Sequence, residues 1–245
     1  VINFTVANAT VVNWTIVNKE TKETFNGTGV ANITKALAAG NYTITIDNAD
    51  TVNITGTSAT ADFTVNKAVS AIVIDPIVNV TYPASTVINF TVANATVVNW
   101  TIVNKVTGEK FNGTGVANIT KALAAGNYTI TIDNADTVNI TGTSASADFT
   151  VNKAVSSIII SPIVNVTYPD ASVINFTVAN ATKVNWTIVN KDTKETFNGT
   201  GVANITKALA AGNYTITIDN ADTVNITGTS ATADFTVNKA VSSIR

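Results

Sequence analysis

Leu37-Ala-Ala-Gly40-Asn-Tyr42-Thr-Ile44-Thr-Ile46 decides how this chain is read, and the same ten residues return at 123–132 and 209–218. Its second half alternates: Tyr42, Ile44 and Ile46 fall on one face, and Asn41, Thr43 and Thr45 on the other. Successive strand residues point to opposite sides, so this is a strand buried on one face and wet on the other. The Leu, Gly and Tyr at its start have the spacing of a corner at which a tyrosine hydroxyl hydrogen-bonds back to upstream backbone. Nothing in the stretch is catalytic; it anchors a fold.

Trp14, Trp100 and Trp186 stand 86 residues apart, and the sequence between them repeats almost unchanged. A unit of that length buries its own core, so the chain is a tandem array of whole domains and not a solenoid of short repeats. The expected units are 1–68, which lacks its leading strand, 69–154 and 155–240, with 241–245 opening a further repeat or linker. The absence of an initiator Met or leader pattern reads as a window of a longer array.

Charged residues make up 12% of the chain, with a formal net charge of −2 and no run of Lys or Arg. That argues against nucleic acid or an anionic membrane surface as a partner. Cys and His are absent, which removes a disulfide framework, the usual zinc ligands and the usual acid–base residue at neutral pH. No apolar run approaches the roughly 18 residues of a membrane helix, so no membrane insertion is expected here. The carboxylates are scattered over loops and outward positions with no His to share the work, and the expectation is a protein that is not an enzyme.

In the first copy Ile2, Phe4 and Val6 alternate inward along a strand over 1–6, followed by a turn at Asn8-Ala-Thr10. Val12, Trp14 and Ile16 share the inner face of the next strand; Lys183 occupies the place of Val11 and Val97, which fits a position facing water. A polar loop from Asn18 to Thr24 varies between copies, as loops do. Phe25 and the Asn26-Gly27 pair suggest a short strand and tight turn. A strand over 30–35 turns Ile33 inward, and at most one helical turn follows before Gly40. A long polar connection spans 47–60, and Phe63 and Val65 face inward on the closing strand. Beyond the junction at 67–70, strand-like segments at 72–74 and 77–82 are split by Pro76, as at a sheet edge. Seven or so short strands with a turn every 8–12 residues predict an all-β fold of immunoglobulin-like sandwich domains, with Trp14, Trp100 and Trp186 and the corner Tyr42, Tyr128 and Tyr214 as structural residues. Ile44 stands where that fold often has a cysteine.

With the Gly40-Asn-Tyr42-Thr corner, the Phe63-Thr-Val-Asn-Lys67 closure and the linking Asn79-Val-Thr-Tyr82 in view, the chain resembles the bacterial-type immunoglobulin-like tandem repeats of archaeal (methanogen) adhesin-like surface proteins. The resemblance covers every copy. It implies an extracellular or wall-attached protein whose repeats form a stalk carrying a functional tip outward. The alternatives are a subunit of an extracellular fibre or surface layer, and a carbohydrate-binding adhesive module. The implied partners are neighbouring repeats of the same chain, glycans or other cells through a region outside this sequence, and further copies in a self-assembled fibre.

Three constellations carry chemistry. Eight of the eleven Asn in residues 1–86 begin an Asn-x-Thr motif. Alternation on a wet face produces that spacing, yet Asn is disfavoured in strands, which leaves N-glycosylation as the sharper reading. The outward candidates are Asn3, Asn13, Asn32 and Asn41, with Asn89, Asn99, Asn118, Asn127, Asn175, Asn185, Asn204 and Asn213 in the later copies. Asp47 and Asp50, with Asp133, Asp136, Asp219 and Asp222, offer hard oxygens to calcium, although their spacing matches no known loop and such residues are common turn formers. No other cofactor is expected. Lys35 shares the parity of Ile33, so an isopeptide bond to Asn66 beside Asp62 stands against a plain reading in which its amine reaches water. Outward Thr43 and Thr45, like Asn3 and Thr5, make a flat polar face, a place where these repeats would themselves hold a glycan or ice.

Overall fold

The computed structural model describes all residues except Thr10, Thr96, Ala117, Thr182, Ala203 and Arg245, so the expected turn residue Thr10 and the final residue lie outside the description. Every described element is a strand. In the second copy one sheet has five strands, in the order Lys110–Gly115, Val98–Asn104, Gly126–Asn134, Thr143–Asn152 and Val80–Thr81, the last running parallel to its neighbour. Facing it, Ala71–Ile74 pairs with Phe90–Ala93, and Thr86–Ile88 pairs with Ile119–Lys121. Ile88, Phe90 and Ile119 from this layer share a core with Ile102, Tyr128, Ile130 and Phe149 from the other. The third copy repeats the arrangement around Ile174, Phe176, Tyr214 and Phe235. These are immunoglobulin-like β-sandwiches, held without a disulfide.

The corner forms as its spacing suggests. The Tyr42 hydroxyl donates to the Ala38 carbonyl at 2.8 Å, Tyr128 to Ala124 at 2.9 Å and Tyr214 to Ala210 at 2.8 Å. Each tyrosine is wholly buried and stacks on the phenylalanine opposite it in the closing strand, with ring centroids 5.4 Å apart for Tyr42 and Phe63. Burying a phenol requires a partner for its hydroxyl, and the turn carbonyl supplies it.

Several expectations need correction. Asn26-Gly27 is not a turn: Thr24–Gly29 is a continuous strand in which Gly27 lies opposite Trp14. A Cβ on Gly27 would sit 2.1 Å from the Trp14 ring, so glycine is there because the indole lies across the backbone. The hairpin turn comes earlier, around Asn18, which is buried and not part of a loose polar loop. Its Oδ1 accepts from the Glu20 and Thr21 amides at 2.9 and 3.1 Å. The polar connection is shorter than 47–60, because Gly40–Asn48 and Thr57–Val65 are paired along their whole length. Segments 72–74 and 77–82 do split at Pro76, but the two halves join different sheets. Ala68–Val69 pairs with Ile140–Thr141 of the second copy, and Ala154–Val155 with Ile226–Thr227 of the third. In the first copy, residues 1–6 form no strand beyond a bridge from Ile2 to Ile33, and 30–35 none beyond that same bridge.

Candidate functional site

Side-chain hydrogen bonds that cross from one copy to another lie where the copies meet, from Ala39 to Asn139 and from Ala125 to Asn225. The junction grows from three pieces of sequence: the Leu-Ala-Ala-Gly corner of the preceding copy, the linker at 67–70, and the loop joining the last two long strands of the following copy. That loop is preformed. Thr137 Oγ1 accepts from the Ile140 amide at 3.0 Å, and the Thr137 amide donates to the Ile140 carbonyl at 2.9 Å. Gly142 turns it back so closely that a Cβ there would lie 2.2 Å from the Asn134 carbonyl oxygen.

The linker then lies along this loop as a short parallel strand. Ala68 donates to the Asn139 carbonyl at 2.9 Å, and the Ser70 amide and hydroxyl both donate to the Thr141 carbonyl at 3.0 Å. Asn94, held at φ 55°, sends its Nδ2 to the Val69 carbonyl at 2.7 Å. Across the boundary, the Ala39 amide in the corner of the first copy donates to Asn139 Oδ1 at 2.8 Å. The second junction repeats every bond: Ala154 to Asn225, Ser156 to Thr227, Asn180 to Val155, and Ala125 to Asn225 Oδ1 at 2.8 Å. A groove lies beside this loop in both copies, about 620 Å³ at Asn94, Ala95 and Val97 and about 580 Å³ at Asn180, Ala181 and Lys183, where Tyr82 and Pro83 also line it. Sequence reasoning missed this site, because Asn139 and Asn53 are the same residue in the same loop and only one has a neighbour.

The predicted residues fall elsewhere. All twelve outward asparagines are exposed. Asn89 and Asn118 lie one step beyond the paired Ile88 and Ile119, so they stand side by side, while Asn99 and Asn127 are on the other sheet. Asn41 is not free: its Oδ1 accepts from Thr64 at 2.8 Å, as Asn127 does from Thr150 at 2.9 Å and Asn213 from Thr236 at 3.0 Å. Asp136 and Asp222 accept from the Gly142 and Gly228 amides at 2.5 and 2.6 Å, and Asp50 accepts from Gly56. Asp47, Asp133 and Asp219 lie opposite Asn13, Asn99 and Asn185 on the sheet surface. Among the described residues no three acidic side chains gather where a metal ion would sit.

Lys35 does not point to the interior. Its amine lies 5.0 Å over the Phe25 ring, a cation–π contact repeated by Lys121 on Phe111 and Lys207 on Phe197. Asp62, the carboxylate expected beside an isopeptide, takes an ion pair from Lys19 and a hydrogen bond from Thr43 at 2.6 Å. The Lys19 hydrogen bond, then that of Thr43, lowers the Asp62 pKa from the ordinary value of 3.8, and Asp148 and Asp234 behave alike.

No family model matches the chain, and no curated protein matches it. Among solved structures it is similar to the three N-terminal domains of the bacteriophage RB49 Highly Immunogenic Outer Capsid protein, at 13% identity and a TM-score of 0.33, covering 94% of this chain and 89% of that one. It is also similar to a structure described as giving insight into host cell surface retention of a 1.5-MDa bacterial ice-binding adhesin, at 11% identity and a TM-score of 0.32, covering 95% and 87%. Scores this low say nothing of what the chain binds or does.

Proposed function

We propose that this chain is the structural repeat region of an adhesin-like cell-surface protein, a stalk that holds a functional tip away from its anchor. The observation that carries this is the junction: at both boundaries a corner amide of one copy donates to a loop asparagine of the next, Ala39 to Asn139 and Ala125 to Asn225. A flexible tether would use Gly, Ser or disordered polar chain between domains. Here the linker is a strand stitched to the next domain, and its Ser70 and Ser156 are buried. In this reading the exposed asparagines carry glycans that solvate a surface poor in charge.

Small-angle scattering on the 245-residue chain at low concentration tests the proposal. A collapsed particle of this length has a radius of gyration of about 18 Å. Three sandwiches in series, each with strands of about ten residues at roughly 3.3 Å per residue, give a value nearer 30 Å. The double variant Asn139→Ala, Asn225→Ala is expected to broaden the distance distribution without unfolding any copy. A compact particle, or a distribution the double variant leaves untouched, overturns the stalk.

A further inference from the structure

Strand direction singles out the segment by which the chain enters a copy. Every ladder among the described residues is antiparallel except four, and these are the same two in the second and third copies. One is the linker pair, Ala68–Val69 with Ile140–Thr141. The other joins Val80–Thr81 to Val151 and Asn152, the last residues of the closing strand, after which Lys153 leads into the next linker. Beside that second pair, the Tyr82 amide donates to the Asn152 carbonyl at 2.9 Å and the Thr150 amide donates to Asn79 Oδ1 at 2.8 Å. The third copy matches it, with Tyr168 donating to Asn238 and Thr236 to Asn165 Oδ1, both at 2.9 Å.

Tension along the chain pulls the second copy backward where the linker enters and forward where Lys153 leaves. Two strands paired in parallel and pulled in that way are drawn lengthwise past each other, so the bonds between them stretch together. The antiparallel pair of Ala71–Ile74 with Phe90–Ala93 meets the same tension differently. Its entry residue Ala71 and its onward residue Ala93 lie opposite each other at one end, so the pair opens one bond at a time. Each hydrogen bond is worth little singly. A pair that peels therefore yields early, and a pair that shears holds until several bonds fail at once.

We propose that the pair of Val80–Thr81 with Val151 and Asn152, extended by the Asn79 side chain, is a mechanical clamp by which the second copy bears tension along the chain. Val166–Thr167 with Val237 and Asn238, extended by Asn165, does the same for the third. The linker pair, fastened by Ser70 and Asn94, has the same polarity and stands ahead of the clamp. The corner lies behind it: the Tyr128 bond to Ala124 is still made when the clamp gives way, so it adds to stability and not to resistance. Asn79 is the reverse, an exposed residue outside the core whose bond carries load. This role rests on the stalk reading, which supplies the end-to-end tension.

Constant-force pulling on single molecules of the whole chain tests the clamp. The sequence has no cysteine, so one added at each end gives a unique pair of attachment points. The second and third copies should each extend in one step, by roughly 270–300 Å as residues 70–152 or 156–238 are freed. Asn79→Ala with Asn165→Ala should shorten both lifetimes under load about fivefold, one hydrogen bond expressed as a rate. Asn79→Asp with Asn165→Asp keeps the acceptor oxygen and should restore most of the lifetime. Tyr128→Phe with Tyr214→Phe also removes one bond per copy, yet should leave the lifetimes within about twofold. In urea, without load, the tyrosine pair should cost at least as much as the asparagine pair. Equal shortening by the two pairs overturns the clamp, and so do lifetimes that Asn79→Ala with Asn165→Ala leaves unchanged, or extension without a step. A compact particle in scattering defeats the stalk and leaves these lifetimes as they are, so either idea can fail alone.

Discussion

Residues 1–67 and 87–153 differ only at Glu20/Val106, Lys22/Gly108, Thr24/Lys110 and Thr60/Ser146, none of them in a core, yet the two copies are not equally built. Ile88, Ile132 and Val151 are buried to 1% exposure or less; their counterparts Ile2, Ile46 and Val65 are only partly buried. Phe90–Ala93 is a strand against Ala71–Ile74, whereas the same four residues at 4–7 form none. The difference within residues 1–245 is the segment 68–86, whose strands pair with the second copy and which has no counterpart for the first among these residues. Strand propensity and alternation put Phe4 on the right face, but a strand exists only when a partner completes its ladder. The corner, by contrast, is indifferent: Tyr42 is as buried and as well bonded as Tyr128.

The largest expected effect separates the copies directly. With fluorotryptophan in place of Trp14, Trp100 and Trp186, fluorine NMR gives one resonance per copy. The Trp14 signal should convert to its unfolded position at lower urea than the other two. Prefixing the chain with a repeat of residues 68–86 should raise that midpoint to join them. Two isoleucines and a valine returned to the core are together worth on the order of 3 kcal/mol or more. Three coincident transitions in the unprefixed chain would show that the first core does not need its missing strands.

A second test asks whether the Trp and Gly pairing is as independent of those strands as the corner. A Cβ at Gly113 would lie 2.2 Å from the Trp100 ring, and at Gly27 2.1 Å from Trp14. Gly113→Ala and Gly27→Ala should each cost about 1–3 kcal/mol, as overpacking does. Equal losses, read from the same resonances, place the indole stack with the corner. A much smaller loss in the first copy would place it with the half-built core.

The pattern of these residues explains what could be read in advance. Alternation placed Val12, Trp14, Ile16, Tyr42, Ile44 and Phe63 on the correct face, because side-chain period is a local property of any strand. Asn26-Gly27 misled because a glycine wanted for a turn and a glycine wanted beneath an indole look alike; only the register, Trp14 opposite Gly27, tells them apart. Thr57 to Thr60 read as loop because the outer face of a strand is as polar as a loop. Lys35 read as inward from parity, but parity fixes only the side from which a side chain leaves the backbone, and its long stem carries the amine over the Phe25 ring, as Lys121 does over Phe111 from within a strand. The junction was not legible at all. Asn53 and Asn139 have identical local sequence, and their difference lies in a neighbour about a hundred residues away.

Tyr128→Phe deletes the hydroxyl that reaches Ala124 and keeps the ring stacked on Phe149. It should lower the stability of the second copy by about 1 kcal/mol, the net worth of one hydrogen bond. Tyr42→Phe should cost the first copy the same, since its corner is identical. A midpoint that does not move would mean that water replaces the bond without loss.

The smallest effect tests the outer face, where the copies should be indistinguishable. Lys19, Thr43 and Asp62 lie on the sheet side away from the missing strands, and Lys105, Thr129 and Asp148 reproduce them. In each case the lysine hydrogen bond, then the threonine, holds the folded carboxyl below its ordinary 3.8. A carboxyl with a depressed folded pKa stabilises the protein above its unfolded value and loses that contribution as pH falls through the folded one. Stability should therefore be level above about pH 4 and decline below it. Asp148→Asn should remove that part of the decline from the second copy only. The groups are exposed, so raised salt should shrink the effect. Carboxyl-carbon NMR should find Asp62 and Asp148 titrating together, both below the ordinary 3.8. An Asp62 that titrates apart from Asp148 would show that the missing strands are felt through the whole thickness of the first sandwich.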